Sequence, residues 1–311
     1  MPALVPVLTG WFELVALTVC IGTITCRLLI LPGGAEDGQR GVPSAGMLRL
    51  FGGALALLFA ASIAGLFVRT AEMSGRPAAE TLSLVGTVLF RTHFGRVWLA
   101  RCAALSLLAF LHAAGGRRRD TTPRLLLLLG LVLLVSLTLS ATGHAADAGD
   151  FSLREIVDWL HLLAASVWGG GILVLSLVLV PEAVQSQDRG GIVALSRGFS
   201  RVASVAAVVL VATAAFAAAS AVGWSASAWR TSYGLKIVAK GFLLFFLLDL
   251  GEWKGIRADE DPRPYLRDLR SGALLVAGAL LLAAALKHDI PARHADHASG
   301  GGHMPAHGGH R

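Results

Sequence analysis

Residues 124–143 have the sequence RLLLLLGLVLLVSLTLSATG, one of several apolar runs whose length matches the roughly 20 residues that cross a bilayer as a helix. Across the 311 residues, 55% are hydrophobic and only 15% are charged. A soluble domain carries about 25% charged residues. The composition therefore excludes an ordinary soluble enzyme and predicts a polytopic, all-α membrane protein.

The apolar runs predict eight transmembrane helices. We place them at residues 8–31, 46–68, 95–114, 124–143, 156–181, 196–222, 235–253 and 269–287. A shorter apolar stretch at 82–90 falls below the length of a span and is predicted to lie in the interface or to re-enter the membrane. An even number of spans puts both termini on the same side of the membrane.

The basic residues indicate which side that is. They cluster in the connections after alternate helices, above all in the triple arginine at 117–119 and in the loop 254–270. Because short loops rich in Lys and Arg stay in the cytoplasm, both termini are predicted to face outward, which in a bacterial inner membrane is the periplasm. The net charge of +7 thus reflects membrane topology rather than a nucleic-acid-binding face.

The two halves of the chain share a pattern. Residues 92–101 carry the spacing T-x-[F/Y]-G-x4-A-[R/K], and residues 231–240 carry it again 139 positions later. Trp11 corresponds to Trp159 at an offset of 148. Membrane helices also resemble each other by composition alone, and that explanation of the similarity stays open at the level of sequence.

The pattern predicts three units. Residues 1–145 and 146–288 are expected to be parallel four-helix repeats, related by a pseudo-twofold axis along the membrane normal. Residues 289–311 have too little apolar surface to offset the entropy of ordering, so they are predicted to form a disordered, histidine-rich periplasmic tail.

Four ionisable residues inside the predicted spans lie near the outer ends of their helices: Glu13, Arg101, His161 and Lys240. Each costs about 2.5–3.5 kcal/mol at the centre of a membrane helix, so such residues face a partner or a cavity. Imidazole and carboxylate groups bind metal ions, and the candidate ligands are His144, His161, His93, His288 and Glu13. Arg101 and Lys240 are predicted to form structural ion pairs, because a cation repels a metal ion.

The fifth predicted helix surrounds one of these histidines with further polar residues. Asp158 precedes His161 by three positions, so its carboxylate is expected to reach the imidazole and fix its tautomer. Trp168 follows His161 by seven positions on nearly the same face. Both residues are predicted to support a metal-binding His161; a structural role for His161, as a hydrogen bond to a neighbouring helix, remains an equal alternative.

The tail concentrates the histidines of the chain. Six of the ten histidines follow Lys287, and beyond His288 the predicted metal-capturing side chains are His294, His297, His303, Met304, His307 and His310. Neutral imidazoles in such tracts bind first-row divalent metals, Cu(II) generally the most tightly. The tail therefore indicates metal capture without identifying the metal.

Several motifs resemble those of one known family. Residues 140–146 (SATGHAA) and 158–170 (DWLHLLAASVWGG) are similar to segments of the copper-resistance CopD/PcoD family, as are the boxes at 92–101 and 231–240. The resemblance extends over nearly the whole chain. It implies an inner-membrane protein that handles copper from the periplasmic side, with a separate CopC-like copper carrier as partner. The histidines that match the family motif are His144 and His161.

The leading hypothesis is a copper transport or uptake protein, not an enzyme, that binds Cu+ or Cu2+. The sequence contains no P-loop motif, so movement of copper needs a gradient, trapping inside the cell or a partner. One alternative is a haem-binding membrane redox protein, since histidines in membrane helices ligate haem iron. The other is a copper-binding or docking protein at the periplasmic face that does not transport.

Overall fold

The computed structural model is a bundle of long helices. The structure describes residues 4–31, 44–75, 78–115, 121–143, 151–221, 234–235, 237–239, 241–243, 245 and 261–287. In chain order the helices are α1 (Leu4–Thr25), α2 (Ala45–Ser74), α3 (Ala78–Arg91), α4 (His93–Gly115), α5 (Thr122–Ser140), α6 (Leu153–Val174), α7 (Val180–Gln185), α8 (Arg189–Ala221) and α9 (Pro262–Leu286). Helical residues also occur between 234 and 245.

Within the described ranges, seven helices are long and apolar enough to cross a membrane. They are Leu4–Ile30, Ala45–Ser74, His93–Gly115, Thr122–Ser140, Leu153–Gln185, Arg189–Ser220 and Pro262–Leu286. The prediction of an all-helical, multi-span protein is therefore confirmed. The predicted span at 235–253 lies largely outside the described residues. The short apolar stretch at 82–90 belongs to α3, whose 14 residues are too few to cross a bilayer.

Local sequence explains where several helices begin and end. Ser44, Ser152 and Asp261 precede α2, α6 and α9, and each side chain accepts a backbone N–H from the first turn of its helix. The α2 helix ends at Gly75, whose φ of 62° is readily adopted only by glycine. These caps set the registers in which the long helices present their polar residues.

Helices α1 and α6 both continue into a π-helical turn. In the first turn, Cys26–Ile30, the N–H of Leu31 bonds the carbonyl of Cys26 at 2.9 Å. In the second turn, Leu175–Leu179, the N–H of Val180 bonds the carbonyl of Leu175. Each turn inserts one extra residue per hydrogen-bonded ring, and the second turn continues directly into α7.

The core of the bundle is the contact between α1 and α6. A Cβ atom on Gly22 would meet the backbone of Gly170, and a Cβ on Gly170 would meet the backbone of Thr18 and of Gly22. Glycines permit this close approach of membrane helices. The hydroxyls of Thr18 and Ser166 lie 3.4 Å apart at the same interface.

Two tryptophans connect the central helices to their neighbours. The indole N–H of Trp11 on α1 donates to the carbonyl of Ala277 on α9 at 3.0 Å. The indole N–H of Trp159 on α6 donates to the hydroxyl of Ser136 on α5 at 2.8 Å. These bonds hold the polar residues of α1 and α6 at one end of the bundle.

Candidate functional site

A buried ion pair lies in the first half of α1. Nη1 of Arg101, on α4, is 2.8 Å from Oε1 of Glu13, and the two side chains are 4% and 9% exposed. The hydroxyl of Ser62, on α2, donates to the same Oε1 at 3.0 Å. Neither bond uses Oε2. The carboxylate is therefore anchored through one oxygen to two other helices.

The guanidinium of Arg101 is also bonded to the end of α5. Nε donates to the hydroxyl of Thr138 at 3.0 Å, and Nη2 donates to the Thr138 carbonyl at 2.8 Å and to the Thr142 hydroxyl at 3.0 Å. Carbonyl groups in the last turn of a helix lack helical N–H partners, so they are available to such a donor. Burying two charges is costly, and these additional bonds offset part of that cost.

The start of α6 is attached to the same end of α5. The hydroxyl of Ser140 lies 2.7 Å from Oδ2 of Asp158 and 3.2 Å from the carbonyl of Glu155. Asp158 is thus held by Ser140, whereas the sequence predicts that it reaches His161. The packing of α5 beside the first turns of α6 places the Ser140 hydroxyl within hydrogen-bond distance of this carboxylate.

The imidazole of His161 faces α8. Its Nδ1 lies 3.0 Å from the hydroxyl of Thr213, which is 8% exposed. The ring is therefore positioned by a contact between α6 and α8. Trp168, two turns further along α6, is buried among the apolar side chains of the core.

The other predicted site residues are distributed between the described and undescribed parts of the chain. His93 is the exposed first residue of α4, two turns before Arg101. Lys287, which follows α9, lies within electrostatic range of Glu13 and Asp158, so the end of α9 belongs to the same region. The residues that lie outside the described part are His144, His288, Lys240, His294, His297, His303, Met304, His307 and His310.

The described residues supply separate candidate ligands rather than a cluster. Among them, no three His, Cys, Asp or Glu side chains are grouped closely enough to hold a metal ion. Glu13 on α1 and His161 on α6 are each anchored by a hydroxyl, at positions on the two central helices. The opposite end of the bundle contains His112, whose ring packs against Phe51 with centroids 5.1 Å apart.

Comparison with known proteins identifies the first half of the chain. Residues 1–153 match the family model for the copper resistance protein D-like, N-terminal domain. This segment is copper resistance protein D-like. The resemblance predicted from the sequence motifs is therefore confirmed. The copper resistance D-like segment contains α1 to α5 and the whole Glu13–Arg101 pair, while His161 lies beyond it.

The chain also resembles a curated relative. It is 28% identical over 244 residues to the copper transport protein CutJ of Bacillus subtilis (strain 168). The aligned region covers 76% of this chain and 43% of CutJ, so the chain spans less than half the length of that relative. No solved structure matches the chain. Together with the seven candidate spans in the described part of the chain, these likenesses support a copper-related, multi-pass membrane protein.

Sequence reasoning misses the hydroxyl groups of the site. Ser62, Thr138, Ser140 and Thr213 anchor the charged and imidazole groups. Ser and Thr are common in membrane helices, where their hydroxyls usually bond the backbone, so no spacing distinguishes these four.

Proposed function

We propose that the protein transports copper across the bacterial inner membrane and takes it up from the periplasmic face. The observation that carries this proposal is the match of residues 1–153 to a copper resistance D-like domain. CutJ is named a copper transport protein, which supports movement of copper over static binding. Copper, as Cu+ or Cu2+, is the substrate.

The proposed architecture is two parallel four-helix repeats, residues 1–145 and 146–288. It is supported by contacts between positions that correspond in the two halves. Thr18 and Ser166 are 148 positions apart and contact each other. Gly22 and Gly170 have the same separation and also meet. Contact between corresponding positions is what a twofold axis at the interface produces.

Features away from this interface support the same arrangement. The π-helical turn at Cys26–Ile30 has a counterpart at Leu175–Leu179, beginning 149 positions later. Trp11 of α1 bonds α9, and Trp159 of α6 bonds α5. In the proposed repeats each tryptophan thus reaches the last span of the opposite half, as an exchange of halves by a twofold axis requires.

The proposed twofold axis also relates two candidate ligands, a carboxylate in the first half and an imidazole in the second. Glu13 is bonded by Ser62 in the first half, and His161 by Thr213 in the second half. The corresponding residues are 148 and 151 positions apart. Each half therefore holds one candidate ligand against a hydroxyl of its second long helix. A carboxylate and an imidazole are both ligands for divalent copper.

The proposed copper path begins at the tail and enters the bundle at the end that contains Glu13. Copper is first captured by His294, His297, His303, Met304, His307 and His310. It is then passed between the repeats by His93, His144, His161, His288 and Glu13, with Trp168 on nearly the same face of α6 as His161. Arg101 and Lys240 act as structural cations, a role consistent with the bonds of Arg101 to Glu13 and Thr138.

The proposed orientation places this end, and both termini, in the periplasm. The arginines at 117–119 then lie in the cytoplasm, in accordance with the distribution of basic residues. A periplasmic CopC-like carrier is the proposed copper donor. A copper gradient or trapping of copper inside the cell supplies the driving force.

Uptake of copper into proteoliposomes tests this function. The purified chain is reconstituted into liposomes that enclose a copper indicator, and copper is added outside. We expect internal copper to rise faster than in protein-free liposomes. Bound copper without internal copper would identify a docking protein instead. A Soret absorbance band in the purified protein would identify a haem protein.

A further inference from the structure

The contact between His161 and Thr213 indicates which nitrogen of the imidazole carries a proton. Nδ1 of His161 lies 3.0 Å from Oγ1 of Thr213. The same Oγ1 lies 2.7 Å from the carbonyl of Val209 and 3.1 Å from the carbonyl of Leu210, both in the preceding turn of α8. Three potential partners thus surround one hydroxyl group.

A hydroxyl has a single proton to donate and lone pairs to accept with. The carbonyl oxygens of Val209 and Leu210 are acceptors only, so the Thr213 proton is shared between them. Such bonds to the carbonyls three and four residues earlier are the usual arrangement for Thr within a helix. The remaining interaction with His161 is satisfied when Nδ1 carries a proton and donates it to Thr213.

We propose that Thr213 is a positioning residue that holds His161 in the tautomer with the proton on Nδ1. The lone pair of the neutral ring is then on Nε2, which is the nitrogen that binds copper. This inference deepens the proposed function and rests on it for the role of copper. The protonation of the ring itself is independent of any metal.

The group that orients His161 is thus the hydroxyl of Thr213 and not the carboxylate of Asp158. Asp158, one turn earlier on α6, is bonded by Ser140 at 2.7 Å. A neutral hydroxyl orients the ring without placing a negative charge against it. The direction of the His161 ring is therefore fixed by the packing of α6 on α8.

Nitrogen-15 NMR of the full-length, metal-free protein in lipid nanodiscs tests the tautomer. The protein is labelled at histidine and measured at about pH 8.5, where an ordinary imidazole with a pKa of about 6.5 is neutral. We expect His161 to show a protonated Nδ1 and an unprotonated Nε2. Thr213→Val is expected to shift the ring toward the opposite tautomer, and Thr213→Ser to retain the wild-type spectrum.

Copper binding by the same variants separates this inference from the proposed function. Loss of an orienting group costs about 10–100-fold in metal affinity, so Thr213→Val is expected to weaken copper binding by that factor and Thr213→Ser to leave it unchanged. The inference is overturned if the His161 ring of the wild-type protein carries its proton on Nε2. It is also overturned if Thr213→Val leaves the tautomer of His161 unchanged. A tautomer that shifts while copper affinity stays constant upholds the orienting role and contradicts His161 as a ligand. The wild-type spectrum decides the first point even where Thr213→Val does not fold.

Discussion

Glu13 and His161 lie 148 positions apart on the two central helices, and each is hydrogen-bonded at 3.0 Å to a hydroxyl on a neighbouring long helix. One is a carboxylate that also pairs with Arg101 inside the bundle. The other is an imidazole. Each central helix therefore holds one candidate ligand against a hydroxyl group, a carboxylate on α1 and an imidazole on α6, and these two contacts are the basis of the site proposed above.

Removal of Arg101 is expected to destabilise the protein strongly. In Arg101→Met, Glu13 would remain buried without its cation, a change that costs about 3–5 kcal/mol. Replacing both residues, as Glu13→Leu with Arg101→Met, is expected to recover much of that loss, because no unpaired charge is then buried. A double-mutant cycle of unfolding in detergent measures both effects.

The control for this cycle is an exposed ion pair. Arg69 and Glu72 lie 3.4 Å apart with side chains 50% and 36% exposed, so Arg69→Met is expected to cost less than about 1 kcal/mol. If Arg101→Met lowered the free energy of unfolding by no more than Arg69→Met does, the interpretation of Glu13 and Arg101 as a buried ion pair would be contradicted.

Substitution of Gly170 is expected to disrupt the α1–α6 interface. The new methyl group in Gly170→Ala would meet the backbone of Thr18 and Gly22, and overpacking of this kind costs about 1–3 kcal/mol. Gly278→Ala, on α9, is the matched control because its methyl group meets nothing within 4 Å. Thermal unfolding followed by size-exclusion chromatography measures the difference; equal stability of the two variants would refute close packing at Gly170.

Removal of residues 289–311 is expected to reduce copper binding in a pH-dependent way. This truncation deletes five of the ten histidines. Imidazole binds copper only when neutral, so the binding lost on truncation should be large at about pH 7.5 and small at about pH 5.5, below the ordinary imidazole pKa of about 6.5. Equilibrium dialysis gives the number of bound copper ions; identical binding by the two chains at the higher pH would exclude the tail as a capture segment.

The orientation of the chain is testable with introduced cysteines. A membrane-impermeant maleimide is expected to label Gly149→Cys in intact cells, and to label Arg118→Cys only after permeabilisation. The native Cys20 and Cys26 are fully buried, and Cys102→Ala removes the partly exposed thiol. Labelling of Arg118→Cys in intact cells would reverse the proposed topology.

Sequence reasoning located the membrane helices because apolar length is a local property. The described spans agree with the predicted ones, while α2 and α8 extend beyond their apolar runs at one or both ends. The extension of α2, residues 69–74, includes Arg69 and Glu72, which favour a helix but lower the local hydropathy. The π-helical turns were not predicted, because a shift of one hydrogen bond leaves no mark in the pattern of apolar residues.

Side-chain partners were harder to predict than helices. Asp158 has the right helical spacing to reach His161, yet its carboxylate accepts a hydrogen bond from Ser140 of α5. Spacing along one helix specifies which residues share a face, but the partner of each is decided by which neighbouring helix packs there. The same reasoning explains why Thr213 could not be found before the contact between α6 and α8 was known.

The most direct test of the central claim is copper uptake by a chain without its two family-motif histidines. The variant His144→Ala with His161→Ala is reconstituted into proteoliposomes beside wild type and His112→Ala, whose altered residue packs against Phe51 at the opposite end of the bundle. Elution of each protein as a folded monodisperse species precedes the measurement. We predict that the double variant falls to the uptake of protein-free liposomes while His112→Ala retains transport; wild-type uptake by the double variant would contradict a copper path through this site.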